Sequence, residues 1–233
     1  MTSLGTFVDG VIDHNHDALD AAAKAVVETL RADGLVRTAG AGHSLAAVME
    51  SFYRAGGLAA VRPLWHPSLF PLADAHRSTR AERTEGLGRE VAEAAGIEER
   101  DTVFVFSNSG INHYPVELAR AADERGATVV ALTSVAASRA AALRSDARLF
   151  ELATIVLDTR VPAGDVSWPQ DAPVTVPRSS LATNALWSAL LARVVDLDPG
   201  VELWRSANVD GNDAANAATI ARLAERIPEL SSE

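Results

Sequence analysis

One short apolar segment that runs directly into small polar residues constrains this chain more than any other feature. Residues 103–106 read Val-Phe-Val-Phe, residues 107–110 read Ser-Asn-Ser-Gly, and Pro115 then suits the first turn of a helix. The pattern predicts a buried strand that ends in a loop at a helix N-terminus. Because the first N–H groups of a helix lack internal partners and the helix dipole is positive there, such a loop favours an anionic ligand.

The composition is that of a globular protein with a sizeable core. The chain has 233 residues, of which 48% are hydrophobic and 22% are charged, so disorder is not expected. A net charge of −10 argues against nonspecific binding to nucleic acid or to an anionic membrane. The absence of cysteine excludes disulfides, thiolate zinc sites and cysteine nucleophiles. Without a signal-peptide pattern or an apolar run of roughly 20 residues, a cytoplasmic location is expected.

The strand-to-helix alternation recurs along the chain. Short apolar segments predict strands at 35–39, 60–65, 102–106, 128–133 and 154–157. Helices are predicted at 7–32, 45–55, 80–95, 115–125, 180–195 and 213–226, with Thr79 and Glu82 at capping-box spacing before the third of them. Residues 159–178 are Pro-rich and are expected to be irregular.

This order of elements predicts an α/β fold with three layers. A doubly wound, five-stranded parallel sheet is expected, with helices on both faces and an added N-terminal helix. We expect a single domain over 1–233, with the N-terminal helix at about 3–32, an α/β core at about 34–195 and a C-terminal helical tail at about 196–233.

Small polar residues follow several of the predicted strands. They occupy 40–44, 107–112 and 133–134, and Ser179 and Ser180 open a late helix. Right-handed crossovers place the carboxyl ends of parallel strands at one edge of the sheet, where ligands of such folds bind. The sequence therefore predicts a ligand site built from these loops.

Two of these loops have alternative interpretations. The glycines at 40–42 could begin a dinucleotide fingerprint, but Leu45 stands where its third glycine belongs, which disfavours nicotinamide binding. They could also serve only a tight turn. Residues 107–110 could be no more than the cap of helix 115–125, although one cap residue would suffice for that purpose.

Several segments together resemble the sugar isomerase (SIS) domain, and they span nearly the whole chain. They are Gly-Ala-Gly-His-Ser at 40–44, Phe-Tyr-Arg-Ala-Gly-Gly-Leu at 52–58, Ser-Asn-Ser-Gly-Ile-Asn at 107–112, Ala-Leu-Thr-Ser at 131–134 and Ser-Ala-Asn-Val-Asp-Gly at 206–211. Together they resemble a bacterial branch of that family that is similar to phosphoheptose isomerases. The resemblance implies a flavodoxin-like sheet that binds phosphosugars.

The resemblance also implies which residues hold the phosphate. In such domains the loop after the third strand binds it, which assigns Ser107 and Ser109, with Ser44 and Ser134 beside them. Asn112 stands where phosphoheptose isomerases carry a further serine, and its amide can still donate a hydrogen bond.

The implied reaction is aldose–ketose isomerisation through an enediol. It needs a carboxylate to move a proton between C1 and C2, and a histidine assists ring opening. Glu50 and Glu85 are the candidate bases, and His43 and His76 are the candidate ring-opening groups. A solvated helix face is the alternative for both carboxylates, and Glu82 is interpreted as a capping-box partner.

Neither a metal nor an organic cofactor is required by this chemistry. His14 and His16 are two positions apart on a predicted helix and point away from each other, so no metal site is expected there. Asp165 could face the pocket or simply form a turn next to Gly164.

Two other functions remain alternatives to an isomerase: a phosphosugar etherase, or a noncatalytic phosphosugar sensor or assembly factor. A homodimer or homotetramer is expected, because SIS sites often form between subunits.

Overall fold

Five short strands form one parallel sheet in the computed structural model, which describes residues 4–231. Their order is β2-β1-β3-β4-β5, and each adjacent pair is parallel. The strands are β1 Val36–Gly40, β2 Val61–Leu64, β3 Thr102–Phe106, β4 Thr128–Thr133 and β5 Ile155–Asp158. The predicted α/β fold with a doubly wound parallel sheet is confirmed, and the strand positions agree with the prediction to within a residue.

Helices cover both faces of this sheet. One face carries α1, α2, α3 and α9, while α4, α5, α6 and α8 lie on the other. None of the helices in the described part of the chain is long and apolar enough to cross a membrane. The ten α-helices among residues 4–231 are α1 Leu4–His14, α2 His16–Arg31, α3 Leu45–Ser51, α4 Ala75–Glu82, α5 Leu87–Ala95, α6 His113–Glu124, α7 Val135–Ala140, α8 Leu149–Leu152, α9 Ser179–Leu197 and α10 Asn212–Leu223.

Aromatic side chains fill the core around the central strand β3. Trp187 of α9 meets the rings of Phe104 and Phe106 edge-on, with centroids 5.3 Å and 6.2 Å apart. On α6, Tyr114 is fully buried, and its hydroxyl donates to the carbonyl of Leu64 at 2.9 Å. Burial raises the pKa of this hydroxyl, so it stays a neutral donor. Trp187 thus packs α9 against β3 on one face of the sheet, and Tyr114 ties α6 to the end of β2 on the other.

The N-terminal helix predicted over 7–32 is in fact two helices, which meet at Asn15. This side chain is buried, and its amide nitrogen donates to the carbonyls of Val11 at 2.7 Å and Asp158 at 2.8 Å. Its amide oxygen accepts the N–H of Asp158 at 2.7 Å. The prediction of one continuous helix was wrong because the side chain of Asn15 bonds to strand β5 instead of facing solvent.

The helix predicted over 80–95 is also two helices, and its proposed capping box does not exist. Asp74 is the N-cap of α4 and accepts the N–H of Arg77 at 2.8 Å, so this helix begins five residues earlier than predicted. Thr79 lies inside the helix and donates to the carbonyl of Ala75 at 3.1 Å. Glu82 is therefore the last residue of α4 and not a capping partner.

Candidate functional site

A cleft of about 490 Å³ opens at the carboxyl edge of the sheet. The loops after β1 and β3 meet there with α4 and with the segment after β5. Within the described part of the chain, the lining residues are Ala41, Gly42, His43, Ser44, Pro71, Ala75, Ser78, Thr79, Glu82, Ser107, Asn108, Ser109, Ala137, Ala141, Ala163, Gly164 and Asp165. The structure thus brings together loops that are distant in sequence, at the edge where parallel sheets bind ligands.

The loop after β3 is held in a shape that leaves hydrogen-bond donors free. The buried Ser107 hydroxyl accepts the N–H of Gly110 at 3.2 Å. The Asn108 side chain accepts the hydroxyl of Thr159 at 2.7 Å, which fastens the loop to the end of β5. The N–H groups of Asn108 and Ser109 bind no acceptor among residues 4–231. The loop can therefore offer both N–H groups to a ligand without rearranging.

Gly110 is required by the path of this loop. Its φ is +56°, a conformation that side-chain-bearing residues rarely adopt. A Cβ there would lie 2.9 Å from both the Leu149 Cβ and the Thr133 Oγ1, which is closer than packed atoms approach. The glycine thus permits the turn and the close approach to β4 and α8.

The loop after β1 contributes His43 and Ser44 to the same cleft. These residues form a single 3₁₀ turn, Gly42–Ser44, immediately before α3. The Ser44 hydroxyl and the exposed His43 imidazole make no hydrogen bond within the described residues. Both side chains are therefore available to a bound molecule.

One face of α4 lines the cleft. Ala75, Ser78, Thr79 and Glu82 are spaced three and four residues apart and so lie on the same side of the helix. The hydroxyl of Ser78 donates to the Leu69 carbonyl at 2.7 Å, and that of Thr79 bonds within the helix. Glu82 is half-buried, and its carboxylate has no hydrogen bond or ion pair within residues 4–231. The sequence held a signal for this arrangement in Asp74, a strong N-cap that places Glu82 on the same face as Ala75.

Asp165 joins the wall of the cleft to the start of α9. Its Oδ1 accepts the N–H groups of Arg178 at 2.9 Å and Ser179 at 2.8 Å. Its Oδ2 accepts the Ser179 hydroxyl at 2.5 Å. Because three donors satisfy this carboxylate, it holds segment 163–165 in place.

Charged groups in the cleft are few. The lining contains no lysine or arginine within the described residues, and its ionisable side chains are Glu82, Asp165 and His43. No group of three histidine or carboxylate side chains in residues 4–231 could hold a metal ion. An anion in this cleft would be bound by hydroxyl and N–H donors.

Two of the predicted phosphate-binding residues do not reach the cleft. The Ser134 side chain is fully buried; its hydroxyl accepts the N–H of Ala137 at 3.2 Å and donates to the Val161 carbonyl at 2.6 Å. Asn112 is also buried, and its Oδ1 accepts from Arg144 at 3.0 Å. Both residues follow a strand as predicted, but the Ser134 hydroxyl and the Asn112 Oδ1 bind neighbouring segments, and neither residue lines the cleft.

Three of the four predicted catalytic side chains also lie outside the cleft lining. The Glu50 carboxylate accepts from Arg54 of the same helix at 2.9 Å. Glu85 is exposed in the turn between α4 and α5, and His76 is exposed on α4. Of these candidates the structure places only His43 in the cleft, whereas it adds Glu82, which the sequence reasoning had assigned elsewhere.

A second hollow, of about 310 Å³, lies beside the edge strand β2. It is lined by Leu45, Val48, Met49, Phe52, Pro63, Trp65, Phe70 and Glu229. Its walls are almost entirely apolar and offer few groups for binding a charged ligand, so the polar cleft is the better candidate site.

Comparison with known proteins places these features in a family. The model of the SIS domain matches residues 2–134. A UPF0309 protein of Brucella canis is 35% identical over 229 residues, which is 96% of this chain and 94% of that protein. A UPF0309 protein of Geobacillus kaustophilus is 34% identical over 228 residues, which is 94% of this chain and 91% of that protein.

A solved structure shows the same architecture. The phosphoheptose isomerase of Neisseria gonorrhoeae superposes with a TM-score of 0.50 at 20% sequence identity, covering 82% of this chain and 90% of that one. At this level of identity the similarity concerns the fold.

Proposed function

This chain belongs to the SIS-domain family, and on that premise we propose that its cleft binds a sugar phosphate. The observation that carries the proposal is the loop after β3, where the N–H groups of Asn108 and Ser109 face no acceptor in the described chain. The hydroxyls of Ser109 and Ser44 line the same cleft without side-chain partners among those residues. These donors suit a phosphate group, which accepts several hydrogen bonds at once.

The proposed phosphate site uses neutral donors. Each hydrogen bond to a charged phosphate contributes about 1.5–3 kcal/mol, so a few of them suffice for binding without lysine or arginine. Ser107, Ser109 and Ser44 are the side chains we assign to it. The contribution of Ser107 includes the shape of the loop, because its hydroxyl accepts the N–H of Gly110 at 3.2 Å.

The reaction we propose is the interconversion of an aldose phosphate and a ketose phosphate through an enediol. The lining of the cleft supports this proposal, since it includes a carboxylate that could carry a proton and an imidazole, His43, that could assist ring opening. Neither a metal nor an organic cofactor takes part in this scheme. The similarity of fold to a phosphoheptose isomerase supports the proposal.

Calorimetric titration tests the phosphate assignment. In Ser109→Ala one hydrogen bond to the charged phosphate is lost, so we expect sugar phosphate affinity to fall about tenfold or more. Ser188→Ala is the matched control, because Ser188 is exposed on α9 and outside the cleft lining. Equal affinities for the two variants would refute the assignment of Ser109.

Proton exchange tests the reaction. With a panel of aldose and ketose phosphates in D₂O, isomerisation introduces solvent deuterium at C2 of the aldose as the isomer forms. Release of a lactate-like acid from an etherified sugar phosphate would instead identify an etherase. Binding without exchange or turnover would contradict the isomerase proposal and assign the cleft to sensing.

A further inference from the structure

We infer that Glu82 is the acid–base carboxylate of this site, in place of the sequence candidates Glu50 and Glu85. The inference rests on the proposed isomerisation. Glu82 ends the face of α4 that lines the cleft, seven residues after Ala75, four after Ser78 and three after Thr79. This spacing corresponds to two helical turns, so Glu82 faces the cleft from the C-terminal end of that row.

Of the two carboxylates in the cleft lining, Glu82 is the one without a hydrogen-bond or ion-pair partner in the described residues. It is half-buried, and no residue in the described range 4–231 donates to it or pairs with it. The other carboxylate in the lining, that of Asp165, already accepts three hydrogen bonds from Arg178 and Ser179. A base must have a lone pair that is free to accept the carbon-bound proton, and the Glu82 carboxylate lines the cleft without a hydrogen-bond or ion-pair partner in the described residues.

The sequence candidates are held away from the cleft by their own contacts. Glu50 is paired with Arg54 at 2.9 Å. Glu85 lies beyond the end of α4, in a turn held by Glu117, whose carboxylate accepts the N–H of Gly86 at 2.9 Å and of Gly88 at 3.1 Å. Since α4 ends at Glu82, the helical row does not continue to Glu85.

The proton transfers balance with Glu82 as the only protein base. Its carboxylate takes the C2 proton of the open-chain aldose, the C–H bond pair becomes the C1=C2 double bond, and the carbonyl oxygen on C1 takes a proton from water. The protonated Glu82 then gives its proton to C1. At the same time the hydroxyl on C2 gives its proton to the hydroxide left by that water, and it becomes the ketose carbonyl.

The test compares Glu82→Gln with two matched controls, Glu85→Gln and Glu50→Gln, in the full-length protein. We expect Glu82→Gln to lower the rates of isomerisation and of C2 deuterium exchange by about 10²–10⁴-fold while the affinity for sugar phosphate changes less than threefold. Both controls should keep wild-type exchange. In Glu82→Asp, which retains a carboxylate one methylene shorter, part of kcat should return with KM unchanged.

Failure of this inference is distinct from failure of the proposed function. If the wild-type protein exchanges C2 deuterium but Glu82→Gln exchanges at the same rate, the base is another residue and isomerisation stands. If the wild-type protein shows no exchange with any sugar phosphate it binds, the isomerase proposal and this inference both fail. Should Glu82→Gln not fold, Glu82→Asp decides instead, since unchanged kcat in that variant would refute the assignment.

Discussion

A buried ion pair between Arg37 and Asp101 yields the most demanding prediction for the stability of this fold. Arg37 lies on β1 and Asp101 immediately precedes β3, so the pair joins the two strands whose loops line the cleft. The distance from Arg37 Nε to Asp101 Oδ2 is 2.6 Å, and the two side chains are only 4% and 2% exposed. Burial is the larger influence on the pKa of Arg37 and lowers it from the ordinary value, although the charge of Asp101 acts in the opposite direction.

Further hydrogen bonds satisfy the rest of both groups. The guanidinium of Arg37 donates to the carbonyls of Ala95 at 2.8 Å and Gly96 at 3.0 Å. The carboxylate of Asp101 accepts the N–H groups of Leu35 at 2.8 Å and Glu98 at 3.0 Å. The pair is therefore the centre of a network that connects β1 with the end of α5 and the start of β3.

Replacement of Asp101 by asparagine keeps its shape and removes its charge. The Arg37 guanidinium then stays buried without a counter-ion, and breaking such a pair from one side costs about 3–5 kcal/mol. Because domains of this kind are stable by about 5–15 kcal/mol, the loss is a large share of the total. We expect the urea midpoint of Asp101→Asn to fall accordingly.

Urea unfolding followed by tryptophan fluorescence measures the effect, since Trp187 is buried in the core. Glu124→Gln is the control, because it breaks an ion pair of the same chemistry with Arg89 on the exposed surface. That control should leave the midpoint unchanged. A loss below about 1 kcal/mol for Asp101→Asn would show that the buried guanidinium is compensated by its carbonyl contacts alone, and would refute this reasoning.

Four other predictions concern the loops and the assembly. Gly110→Ala should cost about 1–3 kcal/mol by thermal unfolding and abolish sugar phosphate binding by calorimetry, because φ is +56° and a Cβ would meet atoms at 2.9 Å; wild-type affinity would contradict this. Asn15→Ala should cost about 1–3 kcal/mol in urea, since its loss leaves polar groups of β5 unpaired, and an unchanged midpoint would exclude that role. Asp165→Ala should speed proteolytic cleavage within 160–178, whereas exposed Asp171→Ala should not. Light scattering at micromolar concentration should show a homodimer or homotetramer, and a monomer would refute that expectation.

The strands were predictable because their signal is local. A buried parallel strand such as β3 is a continuous apolar segment, and its limits follow from the polar residues beside it. The break at Asn15 was not predictable in this way. It depends on hydrogen bonds to Asp158, which lies 143 residues away in sequence.

The candidate site, too, was predictable only in the part that does not depend on contacts between distant residues. That loops after β1 and β3 should approach each other follows from the geometry of parallel sheets alone. Which polar side chains reach the cleft does not follow from it, since the Ser134 hydroxyl is bonded to the Val161 carbonyl and the Asn112 Oδ1 to Arg144. The placement of Glu82 was missed because Thr79 resembled a cap, whereas Asp74 is the residue that starts the helix.

The hydrogen bonds of the Asn15 amide also affect whether another strand can pair with the edge of the sheet at β5. Strand β5 is at an edge, and Thr159 turns its N–H toward β4, so the N–H and carbonyl of Asp158 point outward. Asn15 takes both of these groups, as the backbone of a sixth strand would. Exposed edges invite strand addition and aggregation. At this end of β5 both outward backbone groups are already bonded within the chain, so another strand could pair there only by displacing the Asn15 side chain.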